Sequence, residues 1–433
     1  MKHKKLFVTL IVIFSFLVCL GTFIMIWFWG DSYKDFNDFT ESVSIPGLDD
    51  NAVPQGITNY TTHVYDEEGN STTEMQEYMF ISAYMKEGPS RIYVTGTRTG
   101  YIGYVTMQNE DGTDYTGHCG GIATGSRRGN SNGVLWVTSG STVYCAKRSS
   151  DAYVNIAEEV IAKAKLAKSP NQNNGEENSG TQNVIKFTAS FKANCNASFC
   201  FYFDYDGDPT TYNISNDKFY VGEFYRPGNY ETDKGHHVTT KNGTENKAFI
   251  YEYSLSSSSK YGLTEISASN IPSESKVPKI QYIYSIPDRI QGMARIADST
   301  ATGSTTQGKL VLSQSYGLPN SKLYYYDWNK IRTNNSASYK SLVKNVDADG
   351  KETPAELEYQ GVVTSQGNRY YENPTVYFVD SSSLVREYSI PAMSEGLCAS
   401  GDKVYVLFES ASYKYKMFVR QQLKNVYYFI PRQ

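Results

Sequence analysis

Three glutamates stand where an apolar run of the chain begins or ends. Glu395 precedes a predicted β-hairpin, Glu409 directly follows the apolar run at residues 404–408, and Glu223 ends the run Tyr220-Val221-Gly222. Carboxylates that crowd into one cavity have raised pKa values that suit proton transfer. These three glutamates are therefore the candidate catalytic acids and bases of the chain.

Three glutamine amides and one imidazole also lie at strand ends or just before a glycine. They are candidate ligand-binding groups. Gln55 and Gln291 each precede a glycine, as Glu395 does, while Gln314 ends another apolar strand and His118 lies close before Gly120. If the strands converge, these side chains share one funnel with the glutamates. The alternative is that they only bond neighbouring backbone and water at the strand ends.

One stretch carries oxygen donors at the spacing of an EF-hand calcium loop. The donors are Asn345, Asp347, Asp349, Thr353 and Glu356. Gly350 stands at the required glycine position, although Asn345 replaces the usual Asp and Pro354 lies inside the loop. An Asp-Gly turn in a hairpin explains the stretch as well. Calcium is thus a candidate ligand, and no other cofactor is expected because P-loop, H-E-x-x-H, G-x-S-x-G and dinucleotide motifs are missing.

The elements that must position these residues form a weak repeat. Apolar strands end in a small or polar tetrad at residues 80–83, 136–139, 220–223, 311–314 and 406–409. A glycine followed by an apolar residue precedes four of the five tetrads, at Gly56, Gly121, Gly292 and Gly396. An aromatic strand follows four of them, and three units show a further outer strand.

A glycine-marked inner strand, a buried strand, an aromatic strand and an outer strand are typical of a β-propeller blade. Innermost strands crowd around the axis, which favours glycine because it lacks a side chain. The sequence therefore predicts an all-β propeller over residues 51–433, most simply with five blades. A sixth blade between residues 330 and 380 and an irregular β-sandwich are the alternatives.

One blade resembles a known enzyme family. Ser394-Glu395-Gly396-Leu397, Gly401-Asp402-Lys403-Val404-Tyr405 and Leu407-Phe408-Glu409-Ser410 are similar to the first blade of plant-type glutaminyl cyclases, which are five-bladed propellers. In that family a Gln-Gly-Leu signature precedes a strand that ends in Tyr-Glu-Ser, with the glutamate in catalysis. The resemblance implies a general acid/base role for Glu409 and places Glu395 where the family has Gln.

The whole repeat resembles the superfamily of bacterial extracytoplasmic propellers with quinoprotein-like YVTN repeats. Its members include esterases, lyases and pure binding modules, so the resemblance implies a fold and leaves the activity open.

The N-terminus predicts a membrane anchor. An uncharged apolar run from Leu6 to Gly30 spans 25 residues, which at 1.5 Å per residue is enough to cross a hydrocarbon core of about 30 Å. Lysines before the run and aspartates after it place the N-terminus in the cytoplasm and the remainder outside. We expect a single-pass signal anchor at residues 1–30 and a stalk at residues 31–50, with a cleaved signal peptide as the alternative.

Two segments interrupt the repeat in the second predicted blade. Residues 151–168 have a helical apolar period after the candidate cap Ser150 and predict a surface helix. Residues 169–183 are Asn- and Gly-rich and predict a disordered loop, so residues 151–183 form one insertion. Five cysteines follow the apolar run, at 119, 145, 195, 200 and 398, and leave disulfide pairing open.

Charge excludes one class of partner. The formal net charge is −4 and no basic cluster occurs beyond the extreme N-terminus, so nucleic acid is not an expected partner. The sequence favours an extracytoplasmic binding or scaffolding module for a peptide, glycan or protein at the cell surface. The alternative is a propeller enzyme, a hydrolase, lyase or cyclotransferase, that uses the candidate glutamates.

Overall fold

Five sheets, each built on four antiparallel strands, surround one axis in the computed structural model of the chain. The structure describes residues 11–19, 21, 35–65, 71–125, 133–147, 155–167, 183–205, 214–297, 308–346, 349 and 351–432. Each sheet is one blade, so the fold is a five-bladed β-propeller and the predicted blade number is confirmed.

The strands of the described residues carry the following bounds in chain order. The first half comprises β1 (Thr40–Ser44), β2 (Ala52–Tyr65), β3 (Ser71–Met85), β4 (Arg91–Gly96), β5 (Gly100–Gln108), β6 (Gly121–Thr124), β7 (Val134–Ser139), β8 (Thr142–Lys147), β9 (Val184–Lys186), β10 (Ala189–Lys192), β11 (Ala197–Phe203), β12 (Lys218–Glu223), β13 (Val238–Thr239), β14 (Glu245–Asn246) and β15 (Ala248–Ser254). The second half comprises β16 (Ile280–Ile286), β17 (Ile290–Ile296), β18 (Lys309–Gln314), β19 (Ser321–Asp327), β20 (Ser336–Ser338), β21 (Lys344–Val346), β22 (Glu352–Pro354), β23 (Leu357–Val363), β24 (Arg369–Glu372), β25 (Thr375–Phe378), β26 (Leu384–Ile390), β27 (Ser394–Ser400), β28 (Lys403–Phe408) and β29 (Asn425–Phe429). The α-helices among the described residues after residue 34 are α1 (Ile156–Leu166), α2 (Trp328–Asn334) and α3 (Tyr339–Leu342).

From the axis outward, the blades are β2-β3-β4-β5, β6-β7-β8-β10, β11-β12-β15-β16, β17-β18-β19-β26 and β27-β28-β29-β1. The inner strands β2, β6, β11, β17 and β27 contact one another in a closed ring, with β27 against β2. The tetrads of the sequence repeat are the ends of the second strands, as the repeat predicts.

The fifth blade takes its outer strand from near the N-terminus. Strand β1 pairs antiparallel with β29, with Thr40 opposite Tyr428. Phe39 stacks on Phe429 with ring centroids 4.6 Å apart. The segment predicted as a stalk, residues 31–50, therefore contributes a strand that links the start of the propeller to its end.

Glycines let the inner strands approach at the axis. A Cβ on Gly121 would lie 2.3 Å from the backbone nitrogen of Cys200, and one on Gly396 would lie 2.9 Å from that of Ile57. Real Cβ atoms do not approach backbone this closely, so the neighbouring strand would have to move. The predicted reason for the repeated glycine, crowding of inner strands, is therefore present in the structure.

A second repeated feature escaped the sequence analysis. Among the described residues, four that are not glycine have left-handed backbone, at φ of 61° for Asn51, 45° for Cys119, 56° for Arg289 and 66° for Met393. Each lies directly or almost directly before an inner strand. Backbone N–H groups beyond the second strands donate to the carbonyls of Asn51, Arg289 and Met393. The sharp turn into the blade is thus held by hydrogen bonds at positions where composition gives no signal.

Two insertions decorate the outer edges. The predicted helix is confirmed as α1, but its N-cap is Asn155, whose side chain accepts from the Ala157 N–H. Ser150, residues 151–154 and 168 of the predicted helix, and residues 169–182 of the predicted loop lie outside the described residues. The described residues of the segment 328–383, between β19 and β26, form no sixth blade. They supply α2, α3, the hairpins β21-β22 and β23-β24, and strands β20 and β25, which extend the third blade.

Most of the predicted anchor, residues 6–30, lies outside the described residues. Residues 11–19 are helical. Within the part of the chain that the structure describes, no helix is both long enough and apolar enough to span a bilayer.

The cysteines are all among the described residues, and none of them forms a disulfide. The five in the propeller are buried. Burial is the main cause that raises the pKa of each of these thiols, so they act as small core side chains.

The substitution Gly121→Ala tests the packing of the inner ring. Because its Cβ would displace the backbone of β11, we expect a loss of about 2–3 kcal/mol in the free energy of unfolding, measured by chemical denaturation. Gly125→Ala, directly after the same strand, is the matched control, since its Cβ would first meet the Tyr202 ring at 3.6 Å. Equal stability of the two variants would contradict the crowded axis.

Candidate active site

A cavity of about 600 Å³ opens at the end of the propeller where the inner strands begin. All five blades contribute to its wall. Its polar lining includes Gln55, His118, Ser139, Ser198, Gln291, Glu395, Glu409 and Lys414. The channel mouth is thus an open polar cavity and is not filled by side chains.

The sequence predicts that seven side chains share one funnel, and the structure brings five of them together. Gln55, His118, Gln291, Glu395 and Glu409 line the cavity. Gln314 and Glu223 do not. The Gln314 amide donates to the carbonyl of Asp288 at 2.9 Å and to its carboxylate at 2.8 Å, because β18 ends beside that turn.

Glu395 and Glu409 form a buried carboxyl pair at the floor of the cavity. They are 4% and 8% exposed, and their carboxyl groups share a hydrogen bond. Burial, followed by the charge of Glu409 and this hydrogen bond, raises the pKa of Glu395 well above its ordinary value. Burial also raises the pKa of Glu409, to about 7, although hydrogen bonds from Glu395 and Gln55 and the charge of Lys414 oppose it. The pair therefore holds a proton at neutral pH.

Two amides orient the pair from neighbouring blades. The Gln55 amide on β2 donates to Glu409 at 3.0 Å and to the Pro54 carbonyl at 2.9 Å. The Gln291 amide on β17 donates to Glu395 at 3.4 Å. The backbone N–H of Glu409 donates to the Met393 carbonyl at 3.0 Å, which fixes the end of β28 against the strained turn into β27.

The cation Lys414 and the rings of His118 and Tyr415 line one side of the cavity, and the sequence pointed only to the imidazole. Lys414 donates to the Tyr84 hydroxyl at 2.9 Å, and the Tyr84 ring stacks on His118 with centroids 4.6 Å apart. Surrounding protein, then the Lys414 charge, lower the pKa of His118, which favours its neutral form. Lys414 and Tyr415 come from the loop between β28 and β29, which lies outside the repeat and so gave no signal.

The opposite side is aromatic. Phe224, Tyr230 and Tyr316 line the cavity, and the Phe224 ring lies 5.4 Å from Tyr230 and 6.0 Å from Tyr316 between centroids. The Arg226 guanidinium packs on the Tyr316 ring at 3.9 Å from its centroid. This rim gives the cavity a flat apolar surface on the side away from Lys414.

Glu223 lies in a separate cavity of about 1030 Å³ between the third blade and the insertion at residues 328–383. Its carboxylate contacts the His236 Nδ1 at 2.9 Å and accepts from the Phe249 N–H at 2.8 Å. Burial alone would lower the pKa of His236, but the charge and hydrogen bond of Glu223 outweigh it and raise that pKa. The pair is a buried ion pair that ties residues 234–236 to the blade.

The calcium candidates lie on a hairpin. Asn345 pairs with Thr353 in the β21-β22 ladder, while Asp347 and Gly350 lie outside the described residues. Glu356 accepts from the Lys340 amine at 2.8 Å. Among the residues that the structure describes, no three His, Cys, Asp or Glu side chains are grouped so that they could hold a metal ion.

Fold and site together define a five-bladed propeller with an acidic axial cavity. No protein-family model matches the chain, and no curated protein is significantly similar to it in sequence.

The substitution Glu223→Gln tests the buried ion pair through pH. A group with a raised folded-state pKa stabilises the fold fully below its unfolded pKa of about 6.5 and loses this effect as pH rises through the folded value. The variant should therefore lose about 2 kcal/mol at pH 6 and clearly less at pH 9, measured by thermal unfolding. Glu245→Gln, at a carboxylate that is 67% exposed, is the control, and an equal loss at both pH values would contradict the account.

Proposed function

We propose that this chain is an acid–base enzyme whose active site is the axial cavity. The observation that carries the proposal is the buried pair Glu395 and Glu409, which share a hydrogen bond at the floor of an open cavity. A protonated carboxyl beside an ionised one supplies a proton donor and a proton acceptor within one hydrogen bond.

The spacing of the pair narrows the reaction class. Glycosidases keep their two carboxyls about 5–5.5 Å or 6.5–9.5 Å apart so that a sugar or a water fits between them. A directly hydrogen-bonded pair leaves no such room. It suits addition to a carbonyl, in which one carboxyl accepts the proton of the nucleophile and the other protonates the departing group. An amide or ester substrate fits this chemistry.

The resemblance to plant-type glutaminyl cyclases suggests a particular amide. The neutral α-amine of an N-terminal glutamine would attack the carbonyl carbon of its own side-chain amide. A new C–N bond would form as Glu409 accepts a proton from the amine. Glu395 would give its proton to the amide nitrogen, and ammonia would leave. The proton on Glu409 would then return to Glu395 through their hydrogen bond, which restores the starting state.

Gln55 supports this proposal from the neighbouring blade. The cyclase pattern has Gln in the position of Glu395, and here Gln55 on β2 donates to Glu409 at 3.0 Å. The fifth blade has Glu395 where the pattern has an amide, and Gln55 of the adjacent first blade supplies an amide to Glu409 instead. Lys414 would stabilise negative charge that develops on the carbonyl oxygen.

The substitutions Glu409→Gln and Glu395→Gln test the proposal in the full chain. Each should lower the rate of ammonia release from an N-terminal glutamine peptide by about 10²–10⁴-fold, because a proton-transfer group is lost. The wild-type rate should fall as pH drops below the Glu409 pKa of about 7, where the acceptor becomes protonated. Glu245→Gln, at an exposed carboxylate, should keep the wild-type rate.

A parallel panel of peptide esters separates cyclisation from hydrolysis. If only the esters are turned over, the reaction is hydrolysis and not cyclisation, and Glu395 and Glu409 keep their proposed roles as acid and base. Binding of peptide without turnover of any substrate would overturn the enzyme proposal. It would favour a binding module that captures ligands on the rim of Phe224, Tyr230 and Tyr316.

We also propose that the propeller is held at the outer face of a cell membrane by the apolar run at residues 6–30. The support is its length and the charge asymmetry around it. The chain should stay with the membrane fraction after an alkaline carbonate wash. Release into the wash would contradict the anchor.

A further inference from the structure

One loop of the propeller combines exposed apolar side chains with positive charge. The segment 410–424 joins β28 to β29 and reads S-A-S-Y-K-Y-K-M-F-V-R-Q-Q-L-K. It contains Lys414, Lys416, Arg420 and Lys424 and no acidic residue, in a chain whose formal net charge is −4. The local charge is thus opposite to that of the whole molecule.

Two apolar side chains of this loop, Met417 and Phe418, are exposed to solvent, whereas Leu423 near its end is buried. Met417 is 85% exposed and Phe418 is 63% exposed, the two highest values among the large apolar side chains of the described propeller residues. Exposed apolar residues of this size commonly mark an interaction surface when they are adjacent. Met417 and Phe418 are consecutive in the chain, and both are exposed.

The loop is compact, so the exposure is built into its fold. Backbone hydrogen bonds run from Tyr415 and Lys416 to the Ser412 carbonyl, and from Phe418 to the Tyr415 carbonyl. At the base, the Ser410 hydroxyl accepts from the Leu423 N–H at 3.1 Å. The bond at the base joins the two ends of the segment, and the others order the turns that carry Met417 and Phe418.

The loop lies at the same end of the propeller as the axial cavity. It follows Glu409 directly, and its Lys414 and Tyr415 line the cavity. The chain enters the propeller near this end as well. The Asp35 carboxylate accepts a hydrogen bond from the Ser389 N–H. Ser389 is one residue before the end of β26, and this end of β26 leads into the turn at Met393. A membrane anchor before Asp35 would therefore join the propeller near the loop.

We propose that loop 410–424 docks on a lipid surface that bears anionic headgroups, with Met417 and Phe418 inserted at the level of the headgroups and the cations around them. Apolar insertion combined with attraction of Lys and Arg to anionic lipid is the usual chemistry of such contacts. The inference goes beyond the proposed reaction and rests on the proposed membrane anchor only for its orientation.

Docking would place the cavity mouth close to the bilayer. Because Lys414 and Tyr415 belong to the same loop, contact with lipid would also fix two residues of the cavity wall. A protein partner is less suited to the tip, since the segment offers cations without the carboxylates that commonly complete a protein interface rim.

The test uses the full chain in lipid nanodiscs with an environment-sensitive fluorophore on Met417→Cys, in a Cys19→Ser background. The five propeller cysteines are buried and do not compete for the label. In discs with anionic lipid we expect blue-shifted emission and loss of quenching by aqueous iodide, and clearly less of both in neutral discs. Asp402→Cys, in the exposed turn between β27 and β28 at the opposite end of the same blade, should stay fully quenched.

Charge reversal separates lipid attraction from other causes. Lys416→Glu with Lys424→Glu should abolish the difference between anionic and neutral discs, while Lys340→Glu with Lys344→Glu on the insertion should preserve it. A probe at position 417 that stays in water in every disc would overturn the inference, even if the chain remains disc-bound through its anchor. Protection that depends on protein concentration and not on lipid would point to a second copy of the chain and overturn it too.

Discussion

The close approach of five inner strands at the axis is the constraint on which the rest of the molecule depends. Glycines at Gly121 and Gly396 let one backbone lie against the next. The ring closes where β27 contacts β2, and β1 completes the last blade at its outer edge. Since every inner strand begins at the same end, the residues just before the glycines must meet there. Packing of apolar second strands thus dictates that polar side chains converge in one place.

That convergence explains why the cavity is acidic and why it holds a proton. Glu395 begins an inner strand and Glu409 follows the second strand of the same blade, so the register of β27 and β28 brings both to one point. Burial disfavours two adjacent negative charges, and sharing one proton relieves the repulsion. Gln55 and Gln291 from the two flanking blades then fix which oxygens face the open cavity.

The sequence predicted the features that repeat and missed those that do not. Glycine positions and strand tetrads gave five blades and placed Glu395, Glu409, Gln55, Gln291 and His118, because each belongs to a repeated strand end. Glu223 ends an equivalent strand, yet its carboxylate turns to His236 in another cavity, which depends on a long-range loop that no local pattern encodes. Lys414, Tyr415 and the insertion at residues 328–383 are unique segments, and the left-handed turns at Arg289 and Met393 are set by tertiary hydrogen bonds.

A pH titration of the Glu395 and Glu409 carboxyl carbons by NMR, in the wild type and in Gln55→Leu, tests the central claim most directly. The account predicts that one proton remains on the pair up to neutral pH, and that loss of the Gln55 hydrogen bond raises the Glu409 pKa above about 7. Titration of both carboxyls near the ordinary value of about 4.3, with no response to Gln55→Leu, would contradict a buried pair that shares a proton.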